Sequence, residues 1–188
     1  MESNKVLRVI SLEIYLRIPK KCVIKRSNSS VYNPNKLSGY FTTGGASNPL
    51  DEGKEVTWDF HDFPGAFPVQ VKQTIKNKKI VLEWANSEGG STQVVMNFEP
   101  LDKDSTLVRI EEYGWKNQIQ ESLDESYSHC QGWMQMFCCL KVYVEFGKNL
   151  RVLFLILKTT LLLVLPTKID SAYGRVIKSL SISAYIYT

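Results

Sequence analysis

SLDESYSHCQGWMQMFCCLKVYVEFGKNLR, residues Ser122 to Arg151, reads as one long, mostly buried amphipathic helix. Tyr127, Cys130, Met134, Phe137, Leu140 and Val144 recur at steps of three and four, the period of one helical face. Asp124 or Ser126 can cap the start, with Glu125 in a first turn whose dipole favours negative charge. Gly147 and Asn149 suit the end. The runs upstream alternate apolar and polar residues, with turn signals between them. A twisted antiparallel sheet with one apolar face needs a cover, and this helix is the only long candidate.

Working back along the chain, Val6 to Ile18 predicts a first strand, ended by Pro19. Lys20 to Asn33 holds a Ser/Asn cluster that disfavours helix and is left as a short helix or a turn. Pro34 suits the first position of a short helix running to Phe41, and Thr42 to Gly53 reads as loop. Five strands then follow: Glu55 to Phe60, Phe67 to Ile75, Lys79 to Trp84, Thr92 to Phe98 and Thr106 to Tyr113. In phase on their inner faces lie Val56, Trp58 and Phe60; then Phe67, Val69, Val71 and Ile75; then Ile80, Leu82 and Trp84; then Val94, Met96 and Phe98. HDFPG, KNK and NSEGGS supply turns between them. The pattern is α+β, with a curved antiparallel sheet gripping one helix.

The 188 residues suffice for one domain with a real core, and 44 % hydrophobic with 22 % charged residues is an ordinary globular balance. The net charge of +4 arises wholly in residues 151–188, which carry five basic groups and one acid. The body is balanced, and no base-reading motif accompanies it, so nucleic acid is not expected as a partner. Cys22, Cys130, Cys138 and Cys139 lack the spacing of a zinc site and read as buried free thiols rather than a disulfide framework. The N-terminus lacks the apolar core of a secretory signal, so a cytoplasmic location is expected.

Candidate chemistry is sparse. His61 between Asp59 and Asp62 reads as surface decoration rather than a metal or acid/base site. His129 beside Cys130 suggests a Cys/His pair, but neighbouring residues on a helix point in different directions. No glycine-rich phosphate loop joins a strand to a helix. Arg17, Lys20, Lys21, Lys25 and Arg26 read as a solvated strand end. No catalytic residue, metal ligand or cofactor is therefore expected. Trp58, Phe60, Trp84, Met96, Phe98, Trp133 and Phe137 fall on the inner faces of sheet and helix, together with Phe67. They are either pure core or the walls of an apolar cavity without convergent polar groups, a site for a hydrophobic small molecule.

The order of motifs resembles a known family. NPNKLSGYF before a Gly-containing loop, then GKEVTWDF, PVQVKQTIKNKKIVLEW and STQVVMNFEPLDKDSTLVRIEEYGW, resemble START-like (SRPBCC, helix-grip) proteins. The closing helix, with Gly132-Trp133 near its start and a Leu-Lys-x-Tyr-x-Glu-x-Gly segment near its end, is similar to the branch named after the activator of the Hsp90 chaperone ATPase. The resemblance covers about Ile10 to Arg151. It implies a helix-grip fold with a cavity under the long helix. It also implies binding of a hydrophobic small molecule or, in a second reading, a stress-related co-chaperone that contacts Hsp90. A cyclase-like enzyme is a third, which would need polar groups facing the cavity.

Two departures stand out. KKCVIKRSNSSVYN is longer and poorer in helix formers than the family's first helix, and residues 152–188 have no family counterpart. The domain is therefore expected to span 1–151. The tail 152–188 is expected to be poorly integrated with it, either an extension or the product of an altered reading frame. Val152 to Leu165 holds eleven apolar residues in fourteen, shorter than the ~20 that span a bilayer as a helix. Contact of this tail with a membrane surface is the lesser expectation beside docking or self-association.

Overall fold

Alternation of period two turns one row of each strand inward, and these rows build the core of the computed structural model. It describes residues 8–17, 23–61, 63–87, 89–115 and 120–152. The strands are β1 (Arg8–Arg17), β2 (Gly45–Ala46), β3 (Glu55–Phe60), β4 (Phe63–Ile75), β5 (Lys79–Ala85), β6 (Ser91–Pro100) and β7 (Ser105–Trp115). They form one antiparallel sheet in the order β1-β7-β6-β5-β4-β3-β2. The helices are α1 (Val23–Tyr32), α2 (Pro34–Ser38) and α3 (Gln120–Phe146). This is the expected α+β helix-grip architecture. Leu16, Leu37, Val56, Val69, Ile80, Leu82, Val94, Met96, Ile110, Phe137 and Leu140 lie in one buried cluster.

The Ser/Asn run resolves as α1. Its Ser27, Asn28 and Ser30 are buried, and α1 lies against β6 and β7, so packing overrides poor propensity. Asn33 caps α2 by accepting from Lys36 N at 3.2 Å, with Pro34 at the first position. The helix stops at Ser38, short of the expected Phe41.

Two bulges change what the sequence alone suggests. On β4, Val71 pairs with Leu82 but Gln73 with Val81, so Lys72 is an extra residue. Beyond it Thr74 takes the inward row opposite Ile80, and Ile75 is exposed rather than buried. On β7, Arg8 pairs with Trp115 but Ile10 with Glu112, which inserts a residue at Tyr113-Gly114. Gly114 has φ +112°, and a Cβ there would lie 2.7 Å from Ser91 O, so only glycine fits without strain.

The cover helix also differs from its sequence reading. It begins at Gln120, so Asp124 and Ser126 lie inside it and do not cap it. Instead Gln120 Nε2 donates to Asp124, and Ser126 Oγ donates back to Leu123 O. Its buried face carries Trp133, Met136, Phe137, Leu140 and Val144, continued upstream by Ser122 and Ser126. Tyr127 and Met134, expected inside, are 53 % and 46 % exposed. Four residues back from Phe137 lies Trp133, and seven and eleven back from Trp133 lie the small residues Ser126 and Ser122, so an apolar count misplaces the first two turns.

α3 ends at Phe146 rather than Arg151. Gly147, at φ +67°, donates its N–H to Tyr143 O and stops the helix. Asn149 then starts a new helical turn at Leu150, its Oδ1 accepting from Arg151 N at 3.0 Å and Val152 N at 3.2 Å. The tail from residue 153 onward lies outside the described residues, as does Cys22. Among the described residues no helix is long and apolar enough to cross a membrane.

Candidate functional site

α3 lies against β1, β7 and α1, while its Cα trace keeps more than 8 Å from β3, β4, β5 and β6 among the described residues. Aromatic rings bridge the resulting wedge. Trp133 on α3 stacks on Trp84 of β5 at 5.6 Å and on Phe41 at 6.2 Å. Trp84 meets Trp58 at 6.0 Å and Phe67 at 6.2 Å, and Phe41 meets Phe60 edge-on at 5.0 Å. These separations are those of favourable ring pairs. Trp58 and Trp133 are buried, whereas Phe60, Phe67 and Trp84 are half-buried, so the wedge opens on their side.

Several side-chain contacts tie the sheet to the helical layer. Ser87, in the β5–β6 turn, donates its N–H and Oγ–H to the Glu125 carboxylate of α3, at 3.2 and 2.8 Å. Arg151 donates to Gln135 Oε1 at 2.7 Å, and its guanidinium lies 5.4 Å from the Phe60 ring centre.

At the inner end of the wedge sits a carboxylate. Glu112 belongs to the inward row of β7 with Val108 and Ile110, across from Val94 of β6, and is 0 % exposed. Burying a carboxylate is costly unless its oxygens are engaged. Here Thr92 Oγ1 donates to Oε1 at 2.8 Å, Trp133 Nε1 donates to Oε2 at 2.7 Å, and His129 Nδ1 lies 2.9 Å from Oε1. The His129 side chain is 23 % exposed. Its ring meets Trp115 edge-on at 4.9 Å and Trp84 at 6.1 Å. The bulge at Gly114 makes this set possible, because it turns Trp115 to the same side as Glu112. The arrangement can recognise a polar group at the inner end of an apolar ligand, and it can accept or hold a proton there.

The expected absence of convergent polar groups is thus corrected. Of the seven residues expected to line a cavity, Trp58, Phe60, Trp84 and Trp133 join the aromatic wedge. Met96, Phe98 and Phe137 lie in the same buried cluster as Trp58 and Trp133. Sequence reasoning missed Glu112, Thr92, Trp115 and Phe41, and set His129 aside. A signal for Glu112 was present: counting by two from Val108 and Ile110 places it in a core row, where an unpaired acid has no business. Nothing local marks Trp115, which depends on the bulge.

Other candidates are plainer. His61 is exposed, and its backbone N–H donates to Thr43 Oγ1. Among the described residues no group of His, Cys, Asp and Glu is placed to hold a metal. His129 engages Glu112, not Cys130. The thiols of Cys130, Cys138 and Cys139 are free, but Cys138 is exposed, against the expectation of burial. Burial pushes the Cys139 thiol up to about 11, against an opposing pull from nearby Arg151.

Comparison with known proteins places this geometry. The family model described as activator of Hsp90 ATPase homolog 1-like protein matches residues 30–145. The chain belongs to this family. The activator of Hsp90 ATPase homolog 1-like segment so matched runs from the end of α1 to the end of α3, and so contains the whole aromatic wedge and Glu112. No curated protein matches the chain significantly. Among solved structures, it is similar to a Staphylococcus saprophyticus protein at 21 % identity and TM-score 0.62, over 77 % of this chain and 96 % of that one. It is similar to the Aha1 dimer of Colwellia psychrerythraea at 18 % identity and TM-score 0.63, over 76 % and 99 %. A Bacillus halodurans protein is similar at 18 % identity and TM-score 0.59, over 74 % and 98 %. At these identities the likeness shows the START-like fold alone.

Proposed function

We propose that this protein holds a hydrophobic small molecule between β3–β5 and α3, with a polar end of the ligand meeting His129, which Glu112 holds in place. The observation that carries the reading is the fully buried Glu112 carboxylate joined to a part-exposed imidazole inside an otherwise aromatic wedge. A closed core gains nothing from a carboxyl group that needs three partners from β6 and α3 to be accommodated. A binding site does, because a few convergent polar groups in an apolar wall fix a ligand's orientation. Phe60 and Trp84, both half-buried and both in contact with half-buried Phe67, supply the outer wall with it.

Interaction with the Hsp90 chaperone in a stress response is supported by family membership alone. A cyclase-like enzyme is supported by the polar pair, which meets the requirement for such chemistry without naming a reaction. Extraction of the purified protein under denaturing conditions, followed by mass spectrometry, tests the ligand reading. A stoichiometric apolar compound is the expected result. An empty extract, together with no uptake of any apolar probe, would overturn it.

A further inference from the structure

We propose that His129 is the proton-accepting anchor of the wedge, held in one tautomer by Glu112, and that the ligand is an aromatic molecule bearing a weakly acidic hydroxyl. This rests on the ligand reading above. Thr92 and Trp133 both donate to Glu112, one to each oxygen, so the carboxylate serves as acceptor throughout the cluster. The nitrogen facing it, Nδ1 of His129, is then the one that carries the ring proton. Nε2 is left with a lone pair and has no partner among the described residues. An imidazole oriented in this way by a carboxylate is the arrangement that makes the other nitrogen a fixed acceptor.

The ring has little freedom to do otherwise. Trp115 lies edge-on to it and Trp84 beside it, so its plane is held on two sides while part of it stays exposed. A group that meets Nε2 must be a donor. The surroundings that a donor-bearing molecule would share are the rings of Trp84, Trp133 and Phe67, which favour a flat aromatic body. A hydroxyl on such a body satisfies both demands. Glu112 is a positioning residue in this scheme and does not touch the ligand.

The test compares 1-naphthol with 1-methoxynaphthalene, which differ in the single donor, by equilibrium dialysis against the full chain. The wild type should bind 1-naphthol about fivefold tighter, the worth of one hydrogen bond. His129→Phe should bring the two probes within about twofold while keeping the methoxy compound's affinity, because the apolar wall remains. Glu112→Gln should reduce the ratio as well, through the imidazole. His129→Gln serves as the second variant should either of these not fold. Long-range proton–nitrogen NMR of the free protein should find the neutral ring protonated on Nδ1. Equal binding of both probes to the wild type, or a proton on Nε2 of the neutral ring, overturns the inference and leaves the ligand reading standing. Binding of neither probe, with an empty extract, overturns both.

Discussion

Glu112 and Trp115 stand three residues apart on one strand, yet both turn to the same side of the sheet and meet the same imidazole. In a regular strand they would face opposite ways. The extra residue at Tyr113-Gly114 reverses the phase between them. Gly114→Ala forces a Cβ toward Ser91 O in a backbone conformation that L residues rarely adopt. It should cost at least about 1–3 kcal/mol in urea denaturation and alter the near-UV dichroism of Trp115. A change within ~0.5 kcal/mol would mean that the bulge relaxes freely.

The face of α3 is checked by a pair of truncations. Phe137→Ala removes a fully buried ring and should cost about 3–5 kcal/mol. Met134→Ala, on the exposed side, should cost less than ~0.5 kcal/mol. Similar losses at the two positions would contradict the assigned face.

Trp84 and Trp133 stack on each other and frame the wedge. Titration with pyrene should quench tryptophan emission in the wild type. Binding that survives unchanged in folded Trp84→Ala and Trp133→Ala variants would place the ligand elsewhere.

The alkaline limb of stability follows from buried acids. Cys139 releases its proton near 9.0 when the chain is unfolded but holds it to about 11 when folded. Burial likewise raises Tyr40 well above 10.0. Above pH 9 the folded chain therefore retains more protons than the unfolded one, and stability falls as pH rises. Chemical denaturation between pH 8 and pH 11 should show a midpoint that declines steadily. At pH 8 iodoacetamide should label exposed Cys138 well before Cys139, as read by mass spectrometry. Equal labelling would show that α3 opens readily.

The domain limit proposed from sequence, Arg151, can be refined by two stops. A chain ending at Val152 keeps the Arg151 contacts to Gln135 and Phe60, and should unfold with the cooperativity of the full chain. One ending at Gly147 loses them and should be weaker by about 1–2 kcal/mol. Failure of the Val152 version to fold would assign an essential element to later residues.

Most of the strands and the existence of the cover helix were legible because each has a strong period. The failures share a physical cause. Ile75 and Trp115 lie beyond bulges, where an inserted residue resets the count without any local mark. Tyr127 and Met134 were placed inside because apolar residues were counted, whereas the buried face upstream of Trp133 is made of Ser122 and Ser126. Small side chains carry little hydropathy and leave no stripe to read. His129 looks inert beside Cys130, its neighbour in sequence, because its partner, Glu112, stands seventeen residues earlier on another element. Long-range polar pairs need the sheet register before they can be seen.

Because Gly147 breaks α3 and Asn149 immediately starts another turn, residues 150–152 depart from the helix rather than prolonging it. Arg151 moors that departure beside Phe60, on the rim of the wedge. A fluorophore coupled at position 152 would accordingly sit within energy-transfer range of Trp84 and sense occupancy of the site. For the same reason, a bulky tag fused there would obstruct what it was meant to observe.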